Sequence, residues 1–329
     1  MITRKHIVIF SSVLLVVAIG LGAYSKLEDG KQIANESSNN SYSLNDFDLS
    51  NDVEHSIPLE KIASGGPGRD GIPPIDDPKF VDPSQSELDI KGQGILVDIG
   101  GEQRFYPYAI LDWHEIVNDH IGNQEIAVTY CPLCGSAAVY DSRVNGEAVR
   151  FGVSGLLHES NLLMYDDITE SLWSQSIGEA VVGVRTGTKL KRLPTQLMSI
   201  SDAIEKYPNL KVLSTDTGHQ RAYGTTPYQG YDENEEIFFD VSVNDTRLPA
   251  KTIMYVIPVG DSSVAFQQLK LARNSEVEKE FFGKRINASK DKSGEIIATV
   301  DGNKVNGYFE MWFSWATQHK NDGELWKLN

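Results

Sequence analysis

Basic residues are in short supply: 30 Lys and Arg stand against 46 Asp and Glu, a formal net charge of −16. A surface that acidic repels phosphate, which excludes nucleic acid as a partner. Cysteine is scarcer still, with two in 329 residues. The chain can therefore close at most one internal disulfide, or supply two of the four ligands that tetrahedral zinc requires. Several catalytic signatures are missing altogether. No Gly-x-Ser-x-Gly elbow, phosphate loop, dinucleotide fingerprint or His-Glu-x-x-His pair occurs, so hydrolase, nucleotide-binding and zinc-protease chemistry lack their usual handles. No organic cofactor is expected. With 40% apolar residues and 13 Pro among 28 Gly, the composition is that of an ordinary folded chain.

A long charge-free run does occur, from Ile7 to Tyr24, preceded by Arg4 and Lys5. Its 18 residues span about 27 Å as a helix, just enough to cross the hydrocarbon layer of a bilayer. The flanking positive charge predicts a single-pass transmembrane anchor, residues 1–25, with everything beyond Ser25 outside the cytoplasm. A cleaved signal peptide is the alternative, since Ala23 and Ser25 form a small-residue site, and the product would then be secreted. Residues 26–56 are rich in Ser, Asn and Asp, bury little and read as a flexible tether. Asn35, Asn39, Asn244 and Asn287 begin Asn-x-Ser/Thr sequons and serve as surface markers.

The extracytoplasmic domain is expected over 57–329. Four Gly and four Pro between Gly65 and Phe80 forbid regular structure there, and Asp70, Asp76 and Asp77 read as turn caps in preference to cation ligands. A hairpin is expected over Ile95–Ile99 and Arg104–Tyr106, closed by Gly100-Gly101. A helix is expected from Pro107 to His120, on the spacing of Ile110, Trp113, Ile116 and Val117. Strands are expected at 126–130, 137–140, 148–151, 162–165, 180–184 and 253–257, with a turn at Asn145-Gly146. The fold class is strand-rich α+β. Phe105–Gly122 echoes Phe266–Gly283, and Ser201–Leu213 echoes Ser314–Leu325, which suggests two weakly related β-rich halves, 95–215 and 255–329, packed as one unit. Trp173, Trp312, Phe313 and Trp315 are read as core aromatics.

Ordered motifs run along this domain: Gly65-Gly66-Pro67 with Asp70-Gly71-Ile72-Pro73, Trp113-His114-Glu115-Ile116-Val117-Asn118-Asp119, and Thr129-Tyr130-Cys131-Pro132-Leu133-Cys134-Gly135. They continue as Phe151-Gly152-Val153-Ser154-Gly155-Leu156-Leu157, Leu163-Met164-Tyr165-Asp166, Glu170-Ser171-Leu172-Trp173-Ser174-Gln175 and Trp312-Phe313-Ser314-Trp315-Ala316. On these motifs the chain resembles domain-of-unknown-function family 3179 over roughly 57–326. The resemblance implies no settled activity.

The chemistry rests on Cys131-Pro132-Leu133-Cys134, which sets two sulfurs on one side of a tight turn. In the favoured reading they clamp a thiophilic metal, copper before zinc, since cuprous ion accepts two or three soft ligands. His114 and Met164 are the candidate additional ligands, with Glu115, Asp119, Asp166 and His158 as candidates for the surrounding shell. A second reading is a dithiol–disulfide oxidoreductase, although no helical period follows Cys134 to supply a thioredoxin-like setting. A third is a structural disulfide in a non-catalytic cell-envelope domain. Protein partners are not legible.

Overall fold

The computed structural model describes residues 46–328. The expected anchor and most of the tether lie outside the described residues, among which no helix is long and apolar enough to cross a membrane. The described chain is strand-rich, with three short α-helices, α1 (Tyr108–His114), α2 (Ile200–Lys206) and α3 (Trp312–Gln318), and three single 3-10 turns.

The centre is a seven-stranded sheet in the order Gly323–Leu325, Ser262–Gln267, Ile253–Val259, Tyr308–Met311, Ser136–Asp141, Gln124–Cys131 and Ile116–Ile121. A five-stranded sheet is built from Ile62–Ser64, Phe151–His158, Asn161–Asp166, Leu172–Ser174 and Glu179–Val182. The two share a core that holds Cys131, Cys134, Tyr140, Phe151, Met164, Trp173, Trp312 and Trp315. A separate core unites the seven-stranded sheet with the hairpin Gln93–Ile99/Glu102–Pro107 and with a four-stranded sheet between Ser275 and Val305. Trp173, Trp312, Phe313 and Trp315 are all buried core residues. Each such side chain contributes about 1.5–3 kcal/mol by its removal from water.

Strand order carries a repeated arrangement. Gln196–Ser199, Gln93–Ile99, Glu102–Pro107 and Lys211–Leu213 pair antiparallel, antiparallel and parallel, and α2 links the first strand to the last. Tyr308–Met311, Ile253–Val259, Ser262–Gln267 and Gly323–Leu325 pair in the same senses, linked by α3.

The helix expected over 107–120 is a correction. It ends at His114, because Glu115 takes a left-handed backbone conformation with φ 58°, and Ile116–Ile121 is instead a strand paired with Gln124–Cys131. The apolar spacing that suggested a longer helix serves both structures: Ile110 lies in α1, while Ile116 and Val117 face opposite sides of a sheet. Likewise, Asn145-Gly146 closes only the small hairpin Arg143–Val144/Glu147–Ala148, and Phe151–His158 crosses to the other sheet.

The Gly/Pro loop ties the two sheets together. Gly65 N–H donates to Gly155 O at 2.7 Å, and Asp70 N–H to Val153 O at 2.8 Å. Ile75 N–H donates to Ile116 O at 2.9 Å on the seven-stranded sheet. Arg150 binds Asp76 at 2.9 Å, and the Tyr165 hydroxyl donates to Asp70 at 2.5 Å. These acidic groups are thus engaged by cations and donors of the protein itself. Gly155 has φ 75°, and a Cβ there would stand 2.0 Å from Pro67 O. Gly155→Ala is accordingly expected to cost ~2–4 kcal/mol through strain and loop displacement. Urea unfolding checks this, and an unchanged midpoint would count against the close approach.

Candidate functional site: a buried dithiol centre

Strand Gln124–Cys131 delivers the first cysteine, and the chain reverses at once. Cys134 N–H donates to Cys131 O at 3.3 Å, Gly135 adopts φ 56°, and Ser136 returns opposite Cys131 in register. Gly135 is needed here, since a Cβ would meet Met311 Cγ at 2.9 Å. Met311 N–H also holds Cys134 O at 2.8 Å, which pins the turn to the strand Tyr308–Met311. Both cysteines are unbonded, with residue exposures of 2% and 0%.

A polar cage surrounds the second sulfur. Asn161 Nδ2 donates to Cys134 Sγ at 3.0 Å, and Ser136 Oγ lies 3.1 Å from the same atom. Gln175 Oε1 accepts from both Ser136 Oγ and Asn161 Nδ2, while its Nε2 donates to Thr129 Oγ1 at 2.8 Å. Asn161 is oriented in turn by Ser176 N–H, which donates to its Oδ1 at 3.1 Å. Every member sits between the sheets, where a satisfied polar network is strong and an unsatisfied one costly.

The two thiols differ as a result. Burial works against a charge on Cys134, but the Asn161 amide donates to its sulfur and, with the polar contacts of Cys131 and Ser136, brings its pKa below the ordinary thiol value. Cys131 moves the other way, raised by burial and by the contact with Cys134. Its sulfur lies 3.9 Å from Ser160 O, which with Cys134 Sγ is one of two acceptors within reach of its single S–H. Glu159 and Ser160 form the tip of the hairpin there, both in left-handed conformation at φ 52° and 61°. Ser160 Oγ is buried without a hydrogen-bond partner among the described residues. Such conformations in residues other than glycine persist only where the surroundings enforce them.

Glu115 completes the centre on the α1 side. Burial raises its carboxyl to about 8, with Tyr228 donating at 3.3 Å and Cys134 close enough to add to the shift. Near neutral pH it is therefore mostly uncharged, and does not oppose a thiolate beside it. Asp112, one turn back, is likewise raised by burial, to about 6.

Other residues singled out from sequence lie apart from this cage or serve it indirectly. His114 is fully buried, but its Nδ1–H donates to Pro73 O at 2.7 Å and its Nε2 accepts from the Tyr223 hydroxyl at 2.6 Å. Burial lowers its pKa to about 4. The imidazole is thus neutral, with both nitrogens committed to groups other than sulfur. Met164 shares the apolar cluster of the cysteines and pairs with Trp173 across the sheet. Asp119 is bound by Arg104 at 2.6 Å and by the Tyr106 hydroxyl at 2.6 Å. Asp166 caps the turn at Thr169 and accepts from Trp173 Nε1 at 2.9 Å. His158 is half-buried opposite Asn161 across the hairpin. Among the described residues no group of three or more His, Cys, Asp or Glu is assembled to hold a metal ion.

Sequence reasoning missed Asn161, Ser136 and Gln175. Ser136 directly follows the cysteine motif and Gln175 closes the Glu170–Gln175 motif, so both carried a local signal; Asn161 carried none.

Fold and site together define a strand-rich protein built around a buried pair of unbonded thiols. The family model of a protein of unknown function, DUF3179, matches residues 69–309, and the chain belongs to that family. No curated protein and no solved structure matches it.

Two expectations follow. Asn161→Leu removes a donor from Cys134, and ultraviolet thiolate absorbance should show the more acidic thiol titrating about one pH unit higher; no shift would refute the cage. Glu115 is protonated in the folded state up to about pH 8 but ionised above its ordinary value of 4.5 in the unfolded state. Its burial therefore costs stability increasingly as pH rises through that window. Glu115→Gln should gain on the parent protein from pH 5 to pH 8, by an amount on the order of a few kcal/mol at the upper end. Urea unfolding at the two pH values reads this, and an equal difference at both would contradict it.

Proposed function

We propose that Cys131 and Cys134 hold a single cuprous ion between two thiolates, in a domain anchored to the membrane through residues 7–24 and lying outside the cytoplasm. The observation that carries the reading is the pairing of two unbonded, buried sulfurs with a donor set that favours negative charge on one of them. Metal binding must displace the thiol protons, and the cage lowers that cost at Cys134. Cuprous ion is satisfied by two soft ligands, whereas zinc asks for four. With His114 committed to Pro73 and Tyr223, the donor set favours copper over zinc. An acidic outer face, including Asp232, Glu233, Glu235 and Glu236, suits approach by a cation.

Thiol–disulfide exchange is less well supported, because an attacking sulfur needs exposure and the more acidic thiol here is wholly buried. A structural disulfide finds no support in unbonded cysteines. The repeated strand arrangement supports the division into halves 95–215 and 255–329. On that division the dithiol turn belongs to the first half alone, as befits a site added to a duplicated scaffold.

Full-length protein purified anaerobically and titrated with Cu(I) against a competing chelator should bind one equivalent. Cys131→Ser and Cys134→Ser should each lose it, and His114→Gln should keep it. Undiminished binding in both cysteine variants would overturn the reading.

A further inference from the structure

Nothing can reach the two sulfurs in the closed structure, and the way in is legible from what covers them. On two sides they are walled by hydrogen-bonded sheets, which open only by breaking ladder pairs such as Cys131–Ser136 and His158–Asn161. The remaining side is covered by residues 214–252, which contain neither strand nor helix. A structureless segment of that length inside a compact domain is uncommon and is typically a lid or binding loop.

This strap is held down by the hydroxyls of three tyrosines. Tyr223 donates to His114 Nε2 at 2.6 Å, Tyr228 to Glu115 Oε1 at 3.3 Å, and Tyr231 to Leu133 O at 2.7 Å, inside the cysteine turn itself. From the other direction, Trp113 Nε1 donates to Thr225 O at 3.0 Å. Between these anchors lie Gly224 and Gly230, with φ 96° and 74° and no atom within 4 Å of where a Cβ would stand. Gly224 can change its backbone angles without meeting a neighbour at its α-carbon, while the Gly230 carbonyl accepts from Asn234 Nδ2 at 2.6 Å. Beyond Tyr231 the acidic run Asp232–Glu236 is exposed. From Gly224 to Glu236 only Tyr231 is buried, whereas further along Ile237, Phe239, Val241, Leu248 and Ala250 pack on the dithiol core. The sparsely packed first part is the portion suited to opening below the free energy of global unfolding.

We propose that the part of this strap from Gly224 to Glu236 is a gate over the dithiol centre, latched by Tyr228 and Tyr231 and pivoting at Gly224. Opening the gate is the step that admits anything to Cys131 and Cys134. The inference concerns access and holds whatever the sulfurs carry.

The test is the rate at which a small alkylating reagent labels the cysteines of the reduced, metal-free, full-length protein across low urea concentrations. Local opening predicts a rate almost independent of urea below the unfolding transition. Tyr228→Phe combined with Tyr231→Phe should raise it roughly tenfold or more, the effect of losing two hydrogen bonds. Tyr108→Phe, which removes a buried hydroxyl that has no hydrogen-bond partner among the described residues, should leave the rate unchanged. If the double variant does not fold, Trp113→Phe reads the same opening through the loss of its contact with Thr225. A labelling rate with the full urea dependence of global unfolding would overturn the gate, and so would a folded latch variant that labels no faster. Because the protein carries no metal in this experiment, its outcome is independent of copper stoichiometry, and either proposal can fail alone.

Discussion

The bond from Asn161 Nδ2 to Cys134 Sγ is the contact on which the centre depends. It crosses from the five-stranded sheet to the seven-stranded one, so the sulfur's electrostatics are set by how the two sheets are held together. The Gly/Pro loop between Gly65 and Phe80 fixes that spacing, by pairing with Gly155 on one sheet and Ile116 on the other. Motifs far apart in sequence thus converge in space. The loop and Gly155 set the distance between the layers, and Asn161, Gln175 and Ser136 line the layer so defined.

Polarity inside this layer is concentrated, not dispersed. Around the cage lie Met164, Trp173, Trp312 and Trp315, side chains that exclude water and leave the hydrogen bonds unscreened. An isolated thiolate there would be prohibitive. Hydrogen bonding to one sulfur, led by Asn161 Nδ2, makes it tolerable, while Glu115, mostly protonated near neutral pH, adds little opposing charge. The asymmetry between Cys131 and Cys134 follows from geometry: the cage surrounds one sulfur, and the other faces a carbonyl.

Much of this is readable from the chain alone. The cysteine turn, the hairpin at Gly100-Gly101 and the burial of the Trp312–Trp315 cluster each rest on local signals that tertiary structure leaves intact. Misreadings arise where one residue decides the outcome. Glu115 ends α1 in a left-handed turn that apolar spacing cannot reveal, and it sends His114 toward Pro73 and Tyr223 while its own carboxyl turns to the dithiol. Adjacency in sequence therefore suggests the wrong member of the pair. The strap is invisible for another reason: residues 214–252 have no periodicity, and Tyr223, Tyr228 and Tyr231 acquire meaning only from the groups their hydroxyls meet.

The central claim is that two thiolates suffice, without an imidazole, to hold a soft ion at this turn. X-ray absorption at the copper edge of full-length protein loaded with one equivalent of Cu(I) addresses it most directly. The account expects a first shell of two sulfurs from Cys131 and Cys134 with no nitrogen, unchanged in His114→Gln. A nitrogen neighbour that disappears in that variant, or a shell that persists when both cysteines are replaced by serine, would contradict it.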